Sequence, residues 1–101
     1  MKKKSDGFRD YVEEQLGGDA RFRAMFGGYG IYLGDTFFGI VHRSRLYFRT
    51  SPLTRADYVA KGMAPFKPSA RQTLKSYYEV PAEVLENAET LRAWARRAAS
   101  R

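Results

Sequence analysis

Apolar residues recur at helical spacing near the start of the chain. Phe8, Tyr11, Val12 and Leu16, with Gln15, fall at i, i+3, i+4, i+8 and i+7 and form one stripe. The spacing predicts a helix from about Ser5 to Leu16, stopped by Gly17-Gly18. Asp6 and Asp10 lie near its N-terminal, positive end, where their sign suits the dipole. The period then shortens to two. From Ala20 to Phe26, Arg21 and Arg23 alternate with Phe22, Ala24 and Phe26, which predicts a strand with one basic and one apolar face. Three more short strands follow: Gly30 to Leu33, Thr36 to Arg43 and Leu46 to Arg49. Gly34-Asp35 and Arg43-Ser44-Arg45 form the turns between them. Short strands joined by tight turns predict an antiparallel meander.

Ser51-Pro52 announces a second helix, a cap residue followed by proline at the first helical position. Its apolar positions are Leu53, Ala56, Tyr58 and Val59, and Gly62 ends it. The segment 63–72 holds two prolines and is expected to be a loop. Thr73 to Val80 is β-branched and aromatic and predicts a fifth strand. Pro81 opens a short helical turn through Glu86, and Asn87 breaks it. A last helix carries Leu91, Trp94, Ala95 and Ala98 on one side, with Arg92, Arg96 and Arg97 elsewhere. The expected fold is therefore α+β, in the order α-β-β-β-β-α-β-α. An antiparallel sheet of about five strands carries helices on one face. Residues 1–6 are expected to be a flexible basic tail on a single domain spanning 7–101.

Glycines occupy three of the four positions 27–30, between two strand-like runs. A phosphate-binding loop is excluded by three features of its surroundings. No Gly-Lys-Ser/Thr follows, the G-x-G-x-x-G spacing is absent, and the next residues predict a strand rather than a helix N-terminus. The cluster instead marks a crowded strand-to-strand connection, where missing side chains allow close approach.

The same residues carry a family resemblance. Met25-Phe26-Gly27-Gly28-Tyr29-Gly30-Ile31-Tyr32, then Phe38-Gly39-Ile40-Val41 and Leu46-Tyr47-Phe48-Arg49, resemble the N-terminal domain of the TfoX/Sxy family. Tyr77-Tyr78-Glu79-Val80-Pro81 and Leu91-Arg92-Ala93-Trp94 fit the same pattern, so five segments agree in order and spacing from Gly7 onward. The resemblance makes Met25, Phe26, Gly27, Gly28 and Gly30 a structural family motif. It implies a bacterial cytoplasmic protein linked to natural competence, acting with the cyclic-AMP receptor protein at promoters. It also implies a two-layer fold similar to secretion-chaperone domains, which often dimerise. Full-length regulators of the family continue into a helical C-terminal domain, whereas this sequence stops at Arg101, which implies a standalone N-terminal domain. The family brings no catalytic residue.

Composition narrows the remaining choices. A chain of 101 residues with 44% hydrophobic and 15% aromatic positions can support one folded core; roughly 60–65% of its unfolded surface can be buried at this size. No apolar run is long enough to span a membrane, and no apolar segment of a secretory leader follows the basic start. Cysteine is absent, which excludes disulfides, thiolate catalysis and zinc-thiolate sites and fits a cytoplasmic location. The net charge of +7 and pI near 9.9 leave two readings, a polyanionic partner or charge that merely collects in the Lys2-Lys3-Lys4 start and the last ten residues; arginine outnumbers lysine two to one.

No catalytic, cofactor or metal site is expected. His42 is the single histidine, and its neighbours Arg43 and Arg45 disfavour its charged form. The carboxylates are scattered over helix faces, and the serines have no Ser-His-Asp context. The sheet carries the interest. Strict alternation puts Phe38, Ile40 and His42 on one face, and Phe37, Gly39, Val41 and Arg43 on the other. Beside the second set lie Tyr47, Arg49, Lys75 and Tyr77, with Arg45 in the adjoining turn. Two readings stand for this surface. It binds a partner, since Tyr, Phe and Arg anchor interfaces, or its aromatics are shielded within the chain, under the 63–72 loop. The expected function is a non-enzymatic regulatory adaptor. Its candidate contacts are Phe37, Val41, Arg43, Arg45, Tyr47, Arg49, Lys75 and Tyr77, its partner is a transcription regulator or machinery, and it forms a homodimer through the sheet face. Direct DNA binding through Arg43, Arg45, Arg49 and the C-terminal arginines is the alternative, and a small enzyme ranks below both.

Overall fold

Six strands make up one antiparallel sheet, where the sequence pattern predicts about five. The computed structural model describes residues 4–25 and 27–100. The element order is α1 (Lys4–Leu16), β1 (Ala20–Met25), β2 (Gly28–Leu33), β3 (Thr36–His42), β4 (Arg45–Arg49), α2 (Pro52–Ala60), β5 (Pro65–Ser69), β6 (Gln72–Glu79), α3 (Ala82–Leu85) and α4 (Ala88–Ala99). Helix α1 takes in residues 4–6 of the expected tail, and residues 1–3 lie outside the described residues, as does Phe26 of the family motif. The sheet order is β1-β2-β3-β4-β6-β5, so the first four strands form the expected meander and β6 returns beside β4.

The helices cover one face. Val12 and Leu16 of α1, Tyr58 of α2, Val84 of α3 and Leu91, Ala95 and Ala98 of α4 share a core with Ile31, Phe38, Val41, Leu46 and Phe48 of the sheet. The stripes expected on α1 and α4 are the buried ones, with Tyr11 at the solvent margin. Gln15, the polar member of the first stripe, donates from Nε2 to the Leu85 carbonyl at 2.8 Å, which ties α1 to α3. The start of α2 is a reciprocal cap. Thr54 N donates to Ser51 Oγ at 3.3 Å, and Ser51 N donates to Thr54 Oγ1 at 2.9 Å. Behind it, the buried Thr50 donates its hydroxyl to the Ser76 carbonyl (2.8 Å) and accepts from Arg55 Nε (3.1 Å), joining β4, β6 and α2.

Helix α2 buries one of its four apolar positions. Tyr58 alone is buried, its ring 4.8 Å from that of Trp94 and 6.2 Å from that of Tyr78. Leu53 and Val59 are 86% and 57% exposed, and Ala56 and Ala60 also face solvent. Among the described residues no helix is long and apolar enough to cross a membrane.

Candidate functional site

The face opposite the helices holds a second apolar cluster. Ile40, Tyr47 and Phe66 are buried there, with Phe37, Leu74 and Tyr77 packed against them. Phe66 comes from the segment expected to be a loop, which is strand β5. Its ring centre lies 4.5 Å from that of Tyr47 and 5.2 Å edge-on from that of His42. The prolines that argue for a loop, Pro65 and Pro68, are tolerated because β5 is an edge strand bonded only to β6. Irregular pairing between β5 and β6 carries Phe66 across the face. Tyr47 is therefore shielded within the chain rather than presented to a partner.

A β-bulge moves Val41 to the other face. Ile31 pairs with Gly39 and the next pair is Tyr32 with Phe37, so Phe38 is extra on β3. Phe38 and Gly39 then both point to the helix layer, where a Cβ on Gly39 would meet the side chains of Ile31 and Phe48. Beyond the bulge the alternation resumes with opposite parity. Val41 packs in the helix-side core, and Ile40 and His42 turn toward Phe66. The expected grouping of Val41 with Phe37 and of Ile40 with Phe38 is corrected accordingly.

The other candidates divide into three places. Phe37 and Tyr77 stay half-buried in a row with Tyr32, with centroid distances of 5.2 Å (Tyr32 to Phe37) and 5.6 Å (Phe37 to Tyr77). Burial pushes the Tyr77 hydroxyl pKa up; Arg49 pulls it back and Tyr32 adds to the rise. Arg43 and Arg45 are exposed at the β3–β4 hairpin, where Arg45 pairs with Glu79 at 3.0 Å. Arg49, at the far end of β4, donates from Nε to the Ala98 carbonyl (3.0 Å) and from Nη2 to the Ser100 carbonyl (3.4 Å). Lys75 is exposed, and Leu74 rather than Lys75 lies with Tyr77. The C-terminal arginines of the DNA-binding alternative are partly engaged: Arg97 pairs with Asp57 at 2.6 Å and Arg92 donates to the Gln15 carbonyl at 2.9 Å. Burial first, and then Arg43, hold the His42 pKa below its usual value. Among the described residues no group of three or more His, Asp or Glu could hold a metal ion.

Two surfaces were not singled out by sequence reasoning. One is the outward apolar side of α2. The signal was available, since Tyr58 lies on the opposite side of the helix from Ala56, and only one side can face the core. The other is the free edge of β1. Arg21 and Arg23 are exposed there and line an open groove of about 570 Å³ with Phe22, Tyr32, Gly34 and Asp35.

The glycine cluster is what the meander needs in order to close. Gly27 has φ +76°, a left-handed conformation in the β1–β2 turn. A Cβ on Gly28 would run into the backbone carbonyl of Val41, and one on Gly30 would meet Met25 and Phe37. Gly28 and Gly30 thus let neighbouring strands and side chains pack closely. No curated protein matches the sequence. The family model described as TfoX N-terminal domain, a family not known as enzymatic, matches residues 10–101, nearly the whole length. The chain belongs to the TfoX N-terminal domain family.

Proposed function

We propose that the chain is a regulatory adaptor that acts through protein contacts in transcriptional regulation of the competence type. The observation that carries this reading is the outward side of α2, where Leu53, Ala56, Val59 and Ala60 form an apolar stripe exposed to solvent. A helix that buries one aromatic residue and shows its aliphatic side to water has the pattern of a helix awaiting a protein surface. Membership of the TfoX N-terminal domain family supports a regulatory role. Deletion in the native host, followed by complementation, tests the reading. The wild-type chain should restore the altered transcripts and a Leu53→Asp/Val59→Asp chain should not, with both chains equally folded by circular dichroism. Full restoration by the variant, or no altered transcript on deletion, overturns it.

A homodimer belongs to the same reading, with a second copy on the half-exposed Tyr32–Phe37–Tyr77 row. Light scattering at micromolar concentration tests it, and a strict monomer removes it. Direct DNA binding is the competing outcome. It requires duplex affinity that falls steeply between low and moderate salt.

A further inference from the structure

The two edges of the sheet are built differently. At one edge, β5 carries Pro65 and Pro68, which lack the backbone N–H that a further strand would need. At the other, β1 has neither proline nor glycine over Ala20–Met25 and pairs with β2 in unbroken register. Its outer side offers a regular row of backbone donors and acceptors. On the face away from the helices, Arg21 and Arg23 stand two residues apart, roughly 7 Å along the strand. Neither has an ion-pair or hydrogen-bond partner among the described residues. The groove of about 570 Å³ runs past both arginines and past Phe22 on the opposite side of the strand.

We propose that the free edge of β1 is a docking site for an extended acidic segment of a partner protein, which adds to the sheet as a seventh strand. Backbone pairing would hold the segment, and Arg21 and Arg23 would select carboxylates two residues apart on one face, with an apolar residue between them turned toward Phe22. Asp35 sits in the β2–β3 turn beside the Ala20 end of β1, since Ala20 pairs with Leu33. An acidic residue is disfavoured at that end, which fixes where the acid-apolar-acid triplet falls.

A second copy of the chain is the poorer occupant. Opposite residues in an antiparallel pair share a face. Two β1 strands paired edge to edge, with their faces continuous, would set arginine against or diagonal to arginine in every well-overlapped register. The proposal rests on the adaptor reading but uses a different surface from α2, so each can fail alone.

The test uses the whole chain and two labelled peptides of identical composition. One alternates Glu and Val and the other groups them in blocks. Fluorescence anisotropy should show the alternating peptide binding at least tenfold more tightly. Amide hydrogen exchange should slow in Ala20–Met25 and not in Pro65–Ser69. Arg21→Glu/Arg23→Glu should lose that affinity at least tenfold and gain it for an alternating Lys-Val peptide, a swap that a misfolded variant could not show. Equal binding of the two peptides, or no protection at β1, overturns the proposal. So does binding of an oligonucleotide, rather than the peptide, in an Arg21- and Arg23-dependent manner. If the α2 variant fails in the host while the peptide swap succeeds, both ideas stand; if the swap fails, this one alone falls.

Discussion

The ring of Phe37 lies over the bare Cα of Gly30, where a methyl group would come within 2.9 Å of Cε1 and 2.8 Å of the Met25 sulfur. Met25 is flexible and can withdraw. Phe37 cannot move as freely, because it stands between Tyr32 and Tyr77. Gly30→Ala should therefore overpack the face and destabilise the fold by about 1–3 kcal/mol in urea denaturation. At Gly28 the obstacle is the Val41 backbone carbonyl, which cannot retreat without parting β2 from β3. Gly28→Ala should be the more damaging change, with loss of cooperative unfolding. A milder effect at Gly28 than at Gly30 would contradict this account of the motif.

Arg43 and Ser44 turn the β3–β4 hairpin with φ of +51° and +60°, both in the left-handed region. Two-residue hairpin turns favour positive φ, and glycine or asparagine supplies it with less strain than arginine and serine do. Ser44→Gly should raise stability by about 0.5–1 kcal/mol. Relief of a left-handed penalty of roughly 1–2 kcal/mol is partly offset by glycine's larger unfolded-state freedom. The denaturation midpoint should rise with unchanged slope. Ser44→Val should lower it.

Much of the fold could be read from periodicity, and the misses share a cause. The first four strands, the Ser51 cap and the buried sides of α1 and α4 follow from local spacing, which local physics enforces. Strand β5 was hidden because proline signals a loop, and only its place at an edge makes two prolines compatible with pairing. The bulge at Phe38 left no mark in the sequence: Phe-Phe-Gly-Ile-Val alternates equally well in either parity, and cross-strand packing with Ile31 and Phe48 decides it. That one residue moved Val41 out of the candidate surface. The apolar positions of α2 fall on both sides of the helix, and packing of Tyr58 against Trp94 and Tyr78 decides which side is buried. At the candidate surface, Arg45 and Arg49 looked available because their partners, Glu79 and the carbonyls of Ala98 and Ser100, lie more than thirty residues away.

Arg49 links the end of β4 to the C-terminal turn of α4, where its cation meets carbonyls at the negative end of the helix. Arg49→Ala should cost about 1–2 kcal/mol, given the strength of charged hydrogen bonds at a partly exposed site. The loss should appear first as faster hydrogen exchange in the last turn of α4. Arg49→Lys should restore little, because one ammonium cannot reproduce the two-pronged geometry. Unchanged exchange in Arg49→Ala would show that the contacts do not hold the helix end.

Phe66 packs against His42. The ring packs edge-on to the imidazole, and burial is the larger cause of the lowered His42 pKa, with Arg43 the smaller. In the unfolded chain His42 takes up a proton near pH 6.5. In the folded chain it does so only at lower pH. As pH falls through 6.5 toward the folded value, the unfolded state binds more protons, so the His42 contribution to stability is full above pH 6.5 and is lost across that window. NMR titration of the wild type should give a midpoint below 6.5. Phe66→Leu should bring the midpoint part of the way back, and Arg43→Ala should move it less. His42→Gln should flatten the stability profile between the folded His42 pKa and pH 6.5 while leaving the acid limb of the carboxylates in place. If Arg43→Ala moves the midpoint further than Phe66→Leu does, charge rather than burial governs the histidine, and shielding by Phe66 is not the cause of its lowered pKa.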